Sequence, residues 1–279
     1  MEKLIVTAAL TGGLHGKEAN EALPEQPEEI IEDALLCGEA GAAIVHLHAR
    51  DAEGRGVGDP AVFARLNEGI RSRSDLVIQN TTGGTGIPVE KRLLALDAKP
   101  EMASLNMGTV VFFLPGDNGP TEIPFVNLRS EIEQFAKAML ERGIKPELEV
   151  YNPSMFGEVE NLIAKGLLAE PYYVNMVMNV SGMGGYAGTA GNLVHMVEHL
   201  PQGAVFNVSG IGKAQLPLNV MSMAMGGHVR VGLEDSVYYR RGEPATGNAQ
   251  QVARVVRIAK ELGRDVATPD EAREILGFR

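Results

Sequence analysis

The feature that most constrains this chain is an alternation of two patterns along its whole length. Short apolar runs stand at residues 4–10, 42–48, 76–81, 102–107, 147–151, 172–179, 204–210 and 228–234, eight in all. Between them lie stretches such as PEEIIEDALLCGEAG and VNLRSEIEQFAKAMLERG, in which apolar residues recur at three and four. A short apolar run bounded by turn residues reads as a buried strand, and the three-to-four spacing reads as an amphipathic helix. Eight strands alternating with helices over 279 residues predict an α/β chain folded as a single (β/α)8 barrel domain. Two C-terminal helices follow the last strand, NAQQVARVVRIAKELG and the capped TPDEAREIL. The alternative is an open doubly wound sheet with an added helical part. The strand count and even spacing favour the barrel.

Composition enters as exclusion. A net charge of -11 argues against nucleic acid as the main partner, because phosphate binding needs a basic face. No run approaches the roughly 18 apolar residues of a membrane span. The N-terminus MEKLIVTAALTGG is too short and too acidic-led for a signal peptide, so a cytoplasmic protein with no membrane partner is expected. The single cysteine, Cys37, falls in a helical pattern and is expected to be a buried apolar residue.

In a barrel of this kind, functional residues come from the C-terminal ends of several strands. The second run ends in His46-Leu47-His48. Strand side chains alternate, so both imidazoles point to one face. Such a pair can hold a divalent metal or be satisfied by neighbouring carboxylates, and alone it leaves both readings open. The eighth run, HVRVGLED, puts Arg230, Gly232 and Glu234 on one face with Asp235 just past them. Glu234 then stands where it can supply a third, carboxylate ligand. Two His and one carboxylate leave coordination positions open, as a catalytic zinc site does, and the same set holds iron(II). Arg230 and Glu234 as a plain buried salt bridge is the competing reading. An arginine, two acids and a glycine at the last strand's end count against it.

The third run ends in QNTTGG, with Thr81, Thr82, Gly83 and Gly84, and the fourth in SLNMGT, with Ser104 and Asn106. Hydroxyls, an amide and bare backbone N–H groups suit a carboxylate that has no dedicated arginine. The same residue types also populate ordinary strand-to-helix turns. Glu149 ends the fifth run, where it can orient a ligand or pair with Arg230. SGMGGYAG offers Gly182, Gly184 and Ala187 as G-x-G-x-x-A. It follows the sixth run rather than the first, and no acid ends the next one. It reads as a flexible rim loop able to approach a phosphate, and not as a dinucleotide site.

Taken together, TAALTG, HLHAR, TTGG, KPEMASLNMGT, PELEVY, GIG and HVRVGLED resemble the β-keto acid cleavage enzymes, over essentially the whole chain. The resemblance implies a zinc-dependent TIM barrel, usually a homotetramer. Such an enzyme turns a β-keto acid and acetyl-CoA into acetoacetate and a new acyl-CoA. It implies His46, His48 and Glu234 as ligands of zinc or another divalent metal, Asp235 as general base and Arg230 as the base's partner. The keto acid's carboxylate is implied to lie at Thr81, Gly84, Ser104 and Asn106, within the wider set that includes Thr82 and Gly83. Glu149 matches a further active-site acid.

One departure bears on the substrate. In the loop TGGLHGKEAN, Leu14 stands where the amine-cleaving member of the family has a glutamate that grips an ammonium group. A leucine cannot pair with a cation. The expected substrate tail is therefore neutral or anionic, with His15 beside it and Lys17 in solvent. Two rivals differ in class: a metal-dependent aldolase-like lyase or hydrolase, which needs no acetyl-CoA, and a non-catalytic barrel that binds a small acid. No residue is singled out for the CoA phosphates; Arg50, Lys213, Arg240 and Arg241 are basic residues near strand ends.

Overall fold

The computed structural model describes residues 2–114, 119 and 121–278. Eight parallel strands close into a barrel: β1 (Val6–Ala9), β2 (Ile44–Leu47), β3 (Val77–Asn80), β4 (Met102–Asn106), β5 (Lys145–Val150), β6 (Tyr172–Met178), β7 (Ala204–Gly210) and β8 (His228–Val231). Each strand pairs with its neighbours in sequence, and β1 pairs with both β2 and β8. The doubly wound alternative is thereby set aside. The helices between them are α1 (Pro27–Ala40), α2 (Pro60–Arg71), α3 (Val89–Arg92), α4 (Arg129–Arg142), α5 (Phe156–Ala164), α6 (Ala190–Glu198) and α7 (Gln215–Ala224). After β8 come α8 (Asn248–Glu261) and α9 (Pro269–Leu276).

Alternation decides where each strand residue goes. Leu148, Val150, Val174, Met176 and Val208 pack outward against Phe135, Val159 and Leu193 of the helices. The intervening positions are polar and fully buried: Thr7, Gln79, Glu147, Asn175, Asn207 and Ser209. Buried polar groups need partners, and four of these bond to one another. Asn175 and Asn207 donate to Glu147 (3.4 and 3.3 Å), and Ser209 donates to Asn175 (2.8 Å). Helix α9 begins with a reciprocal cap between Thr268 and Glu271 and lays Ala272 and Leu276 against Ile5, Ala43, Val77 and Met102. That closes one end of the barrel. Cys37 is buried in α1.

One element has no counterpart in the apolar pattern. Val110–Leu114 and Thr121–Phe125 pair antiparallel beyond β4, and Gly182–Met183 adds a third strand. The glycine-rich segment is therefore stitched to this sheet. A Cβ on Gly182 would lie 1.8 Å from the Val111 carbonyl oxygen, so the approach requires glycine there. Among the described residues, no helix is long and apolar enough to cross a membrane.

Candidate active site

The open end of the barrel holds a cavity of about 500 Å³. His46, His48, Thr81, Gly83, Gly84, Asn106, Glu149, Arg230, Glu234 and Asp235 line it, with Leu14 and His15 at its edge. His46 lies in β2 and His48 just past its end. Their Nε2 atoms are 3.3 Å apart, and Glu234 Oε1 lies 3.7 Å from the first and 3.3 Å from the second. Tetrahedral coordination with bonds of about 2.0–2.2 Å separates ligand atoms by roughly 3.3–3.6 Å. The spacing therefore fits one small divalent ion. Glu234 Oε2 is buried without a partner, which also suits a ligand. Among the described residues this is the one cluster of three with such spacing.

The protonation states fit as well. Nδ1 of His46 lies 2.6 Å from Gln79 Oε1. An amide oxygen only accepts, so Nδ1 carries the proton and Nε2 presents its lone pair to the site. Burial pushes the His46 pKa down to about 3, keeping the ring neutral. For Glu234, burial favours the neutral acid, but Arg230, His48 and His46 outweigh it and hold the carboxyl well below its usual range. A metal ligand must be deprotonated, and both groups meet that condition.

Glu234 reaches the site by a different route from the one alternation predicts. The strand ends at Val231, and Gly232 has φ +150°, so Glu234 and Asp235 project from a turn. Arg230 binds that turn from below. Its Nε and Nη2 donate to the two oxygens of Asp235, both at 2.9 Å, and Nη2 also donates to Glu234 Oε1 at 2.6 Å. Nη1 donates to Glu149 at 3.3 Å. One buried guanidinium thus serves three carboxyl groups. Burial raises the Asp235 pKa, with Arg230 opposing it. Burial raises Glu149 to about 8, again against Arg230, so this acid keeps its proton at neutral pH.

The proposed carboxylate cradle divides in two. Asn106 accepts from the Tyr151 hydroxyl at 2.9 Å, which leaves its Nδ2 buried, unpartnered and on the cavity wall. Thr81, Gly83 and Gly84 line the same wall. Thr82 and Ser104 do not line it. They satisfy each other through Thr82 N to Ser104 Oγ (3.2 Å) and Thr82 Oγ1 to Ser104 O (2.6 Å), and so brace the wall from behind. Arg50 is likewise turned inward: it donates to the carbonyls of Thr11, His15 and Gly54 and pins the Leu14–His15 loop. Lys17 pairs with Glu29 at the surface. Two contributors were not foreseen, Gln79 behind His46 and Tyr151 behind Asn106. A glutamine and a tyrosine inside apolar runs carry no signal until the strands are in register.

Residues 3–278 match the model of the beta-keto acid cleavage enzyme family. The chain belongs to that family. It is 43% identical over 280 residues to the 3-keto-5-aminohexanoate cleavage enzyme of Acetoanaerobium sticklandii, covering 100% of this chain and 99% of that one. It is 34% identical over 276 residues to the 3-oxoadipate:acetyl-CoA acetyltransferase of Cupriavidus necator, covering 98% and 94%. The solved apo structure of ObcA superposes with a TM-score of 0.78 at 21% identity, over 92% of this chain and 65% of that one, and shares the fold. The chain and these two relatives agree in length.

Proposed function

We propose that this β-keto acid cleavage enzyme converts R–CO–CH2–COO⁻ and acetyl-CoA into R–CO–SCoA and acetoacetate. The convergence of His46, His48 and Glu234 on one point, beside an Asp235 locked by Arg230, is the observation that carries the reading. A divalent metal there, zinc or another, supplies Lewis acidity to the substrate's carbonyl oxygens. Asn106 Nδ2, Thr81 and the Gly83–Gly84 backbone bind the keto acid's carboxylate and aim its C2 at Asp235. Thr82 and Ser104 keep that wall in place. Asp235 takes the C2 proton, and Arg230 holds both its oxygens in a fixed plane while it does so. Glu149, protonated at neutral pH, leaves the Arg230 charge for Asp235 and Glu234. The C2 carbon then bonds to the acetyl carbonyl. The acetyl C–S bond breaks, the freed CoA thiolate adds to the R–CO carbon, and as the C2–C3 bond breaks C2 takes its proton back from Asp235 and acetoacetate is released.

The tail follows from the walls. Leu14, Val57, Ile87, Phe112 and Phe125 line the cavity. Among the described residues Arg230 is the one guanidinium on the lining, and it is committed to Glu234, Asp235 and the acid of Glu149. Among the described lining residues, neither an ammonium tail, as in the A. sticklandii substrate, nor a second carboxylate, as in 3-oxoadipate, finds an uncommitted carboxylate, lysine or arginine. A neutral, apolar R group fits best. A cytoplasmic homotetramer completes the reading, and light scattering tests the assembly.

The test is acetoacetate formation from purified, zinc-loaded protein given acetyl-CoA and β-keto acids with cationic, neutral or anionic tails, with His46→Ala as blank. Product that needs both acetyl-CoA and His46 supports the reading. Turnover of the keto acid without acetyl-CoA replaces it with an aldolase-like lyase or hydrolase. Best turnover of a charged tail overturns the tail assignment alone.

A further inference from the structure

The turn that presents Glu234 and Asp235 is held from outside the barrel. Inside it, Asp235 N and Ser236 N donate to Gly232 O (3.2 and 3.0 Å), and Glu234 N donates to Ala9 O (3.3 Å). Those bonds close the turn but leave the N–H groups of Gly232 and Leu233 and the carbonyl of Ser236 to be met elsewhere. The first two turns of α8 meet all three. Leu233 N donates to Asn248 Oδ1 at 2.7 Å, Gly232 N donates to Gln251 Oε1 at 3.1 Å, and Gln251 Nε2 donates to Ser236 O at 2.7 Å. Both side chains are almost fully buried, Asn248 at 0% and Gln251 at 3% exposure. The remaining donors of Asn248 run to Leu10 O at the end of β1 (2.9 Å) and to Asp33 Oδ2 on α1 (2.5 Å). A carboxylate and a carbonyl only accept, so together they dictate which way round the Asn248 amide sits.

We infer that Asn248 and Gln251 are positioning residues for Glu234 and Asp235, with Asp33 setting the orientation of Asn248. This rests on the reading above in which Glu234 ligates the metal and Asp235 takes the proton. Glu234 and Asp235 are consecutive, yet one must face His46 and His48 while the other lies flat against Arg230. That division of directions is set by the path of residues 232–236. The path begins at a glycine whose φ of +150° no side chain favours, with a Cβ position 1.9 Å from Ala9 O. Glycine takes that φ without strain but does not fix it, so the path of the turn is set by the groups that bond to it. Asn248 and Gln251 grip it on both sides of the two functional residues, and neither touches the cavity. Outer partners of metal ligands characteristically set affinity in this way.

The experiment compares Asn248→Ala, Gln251→Met and Asp33→Leu with wild type, Asp33→Asn and Val255→Ala. Zinc affinity is read by competition with a chromophoric chelator, and kcat and KM are read on zinc-saturated protein. Asp33→Asn keeps an oxygen to accept from Asn248. Val255→Ala truncates a buried residue of the same helix and controls for lost stability. The expected result is zinc affinity weaker by about 10–100-fold in Asn248→Ala and Gln251→Met. In both, kcat falls while KM for acetyl-CoA holds. Asp33→Leu shifts the same way and Asp33→Asn does not. Val255→Ala lowers the melting temperature and leaves zinc affinity within twofold. The inference is overturned if the folded Asn248 and Gln251 variants match wild type in both zinc affinity and kcat, or if Val255→Ala moves zinc affinity as far as they do. Wild type with neither zinc binding nor acetoacetate formation overturns the functional reading, and this inference with it.

Discussion

Replacing Gln79 by leucine tests how the metal site is prepared. Gln79 Oε1 accepts from His46 Nδ1 at 2.6 Å, and the ring is 1% exposed, so no water replaces that acceptor. Leucine leaves the ring two poor choices. It keeps the proton on Nδ1 and buries an unpaired N–H, at a cost of about 1–3 kcal/mol. Otherwise it moves the proton to Nε2, where Glu234 Oε1 waits 3.7 Å away, and the lone pair that faces the metal site is lost. In the second case metal binding must first reverse the tautomer. The first choice costs the metal-free and metal-bound protein alike and leaves affinity unchanged; the second is the cheaper because Glu234 lies on that side, and it disfavours the competent ring by about 1.4–2.8 kcal/mol, a 10–100-fold loss of zinc affinity. Gln79 Nε2 is itself buried without a partner, so its removal returns some stability to the apoprotein. The predicted signature is thus weaker zinc binding with an unchanged or raised apoprotein melting temperature. Chelator competition and calorimetry on the metal-free protein measure the two separately. Gln79→Leu binding zinc within twofold of wild type refutes the tautomer argument. A Gln79→Glu variant, which keeps an acceptor, should bind zinc nearly as wild type does.

Three further outcomes are expected. Asp235→Asn should lower acetoacetate formation by about 10²–10⁴-fold while zinc content stays at wild-type level, because the base is lost and the ligands are not; wild-type turnover by this variant removes Asp235 from the mechanism. Gly232→Ala should lower stability by about 3 kcal/mol or more in urea unfolding, since its Cβ would meet a backbone oxygen at 1.9 Å and cannot be relieved by a rotamer change. Burial raises the Asp33 pKa from 3.8 to about 6, against the hydrogen bond from Asn248. An acid raised on folding favours the folded state fully only below its unfolded pKa, and that advantage is lost as pH rises through the folded one. Asp33→Asn should therefore be close to wild type in stability near pH 4 and more stable by roughly 3 kcal/mol above pH 6.5, and a flat difference across that range contradicts the assignment.

What the chain discloses on its own follows from what local periodicity can encode. The period of two along IVHLH puts His46 and His48 on one side whatever the rest of the chain does, and the structure has their Nε2 atoms 3.3 Å apart. The same rule applied to HVRVGLED reaches the right neighbourhood by the wrong path. It assumes the strand continues through Gly232, where φ +150° breaks the alternation, and a turn carries Glu234 to the site. Thr82 and Ser104 fail for a related reason. Their residue types suit a ligand, but their partners are each other across β3 and β4, and that pairing is a property of register. Gln79 is legible only once β2 and β3 are aligned with His46 opposite it. The three-stranded addition beyond β4 is missed because Phe112, Phe113 and Phe125 read as apolar residues with no period of their own. Periodicity assigns a residue to a face. The closure of the sheet assigns it a neighbour, and in this site the neighbours are what tune the chemistry. Each candidate ligand is placed by its strand or turn, but its proton, its orientation and its charge are settled by Gln79, Arg230 and the amides of α8, partners that no period assigns to it.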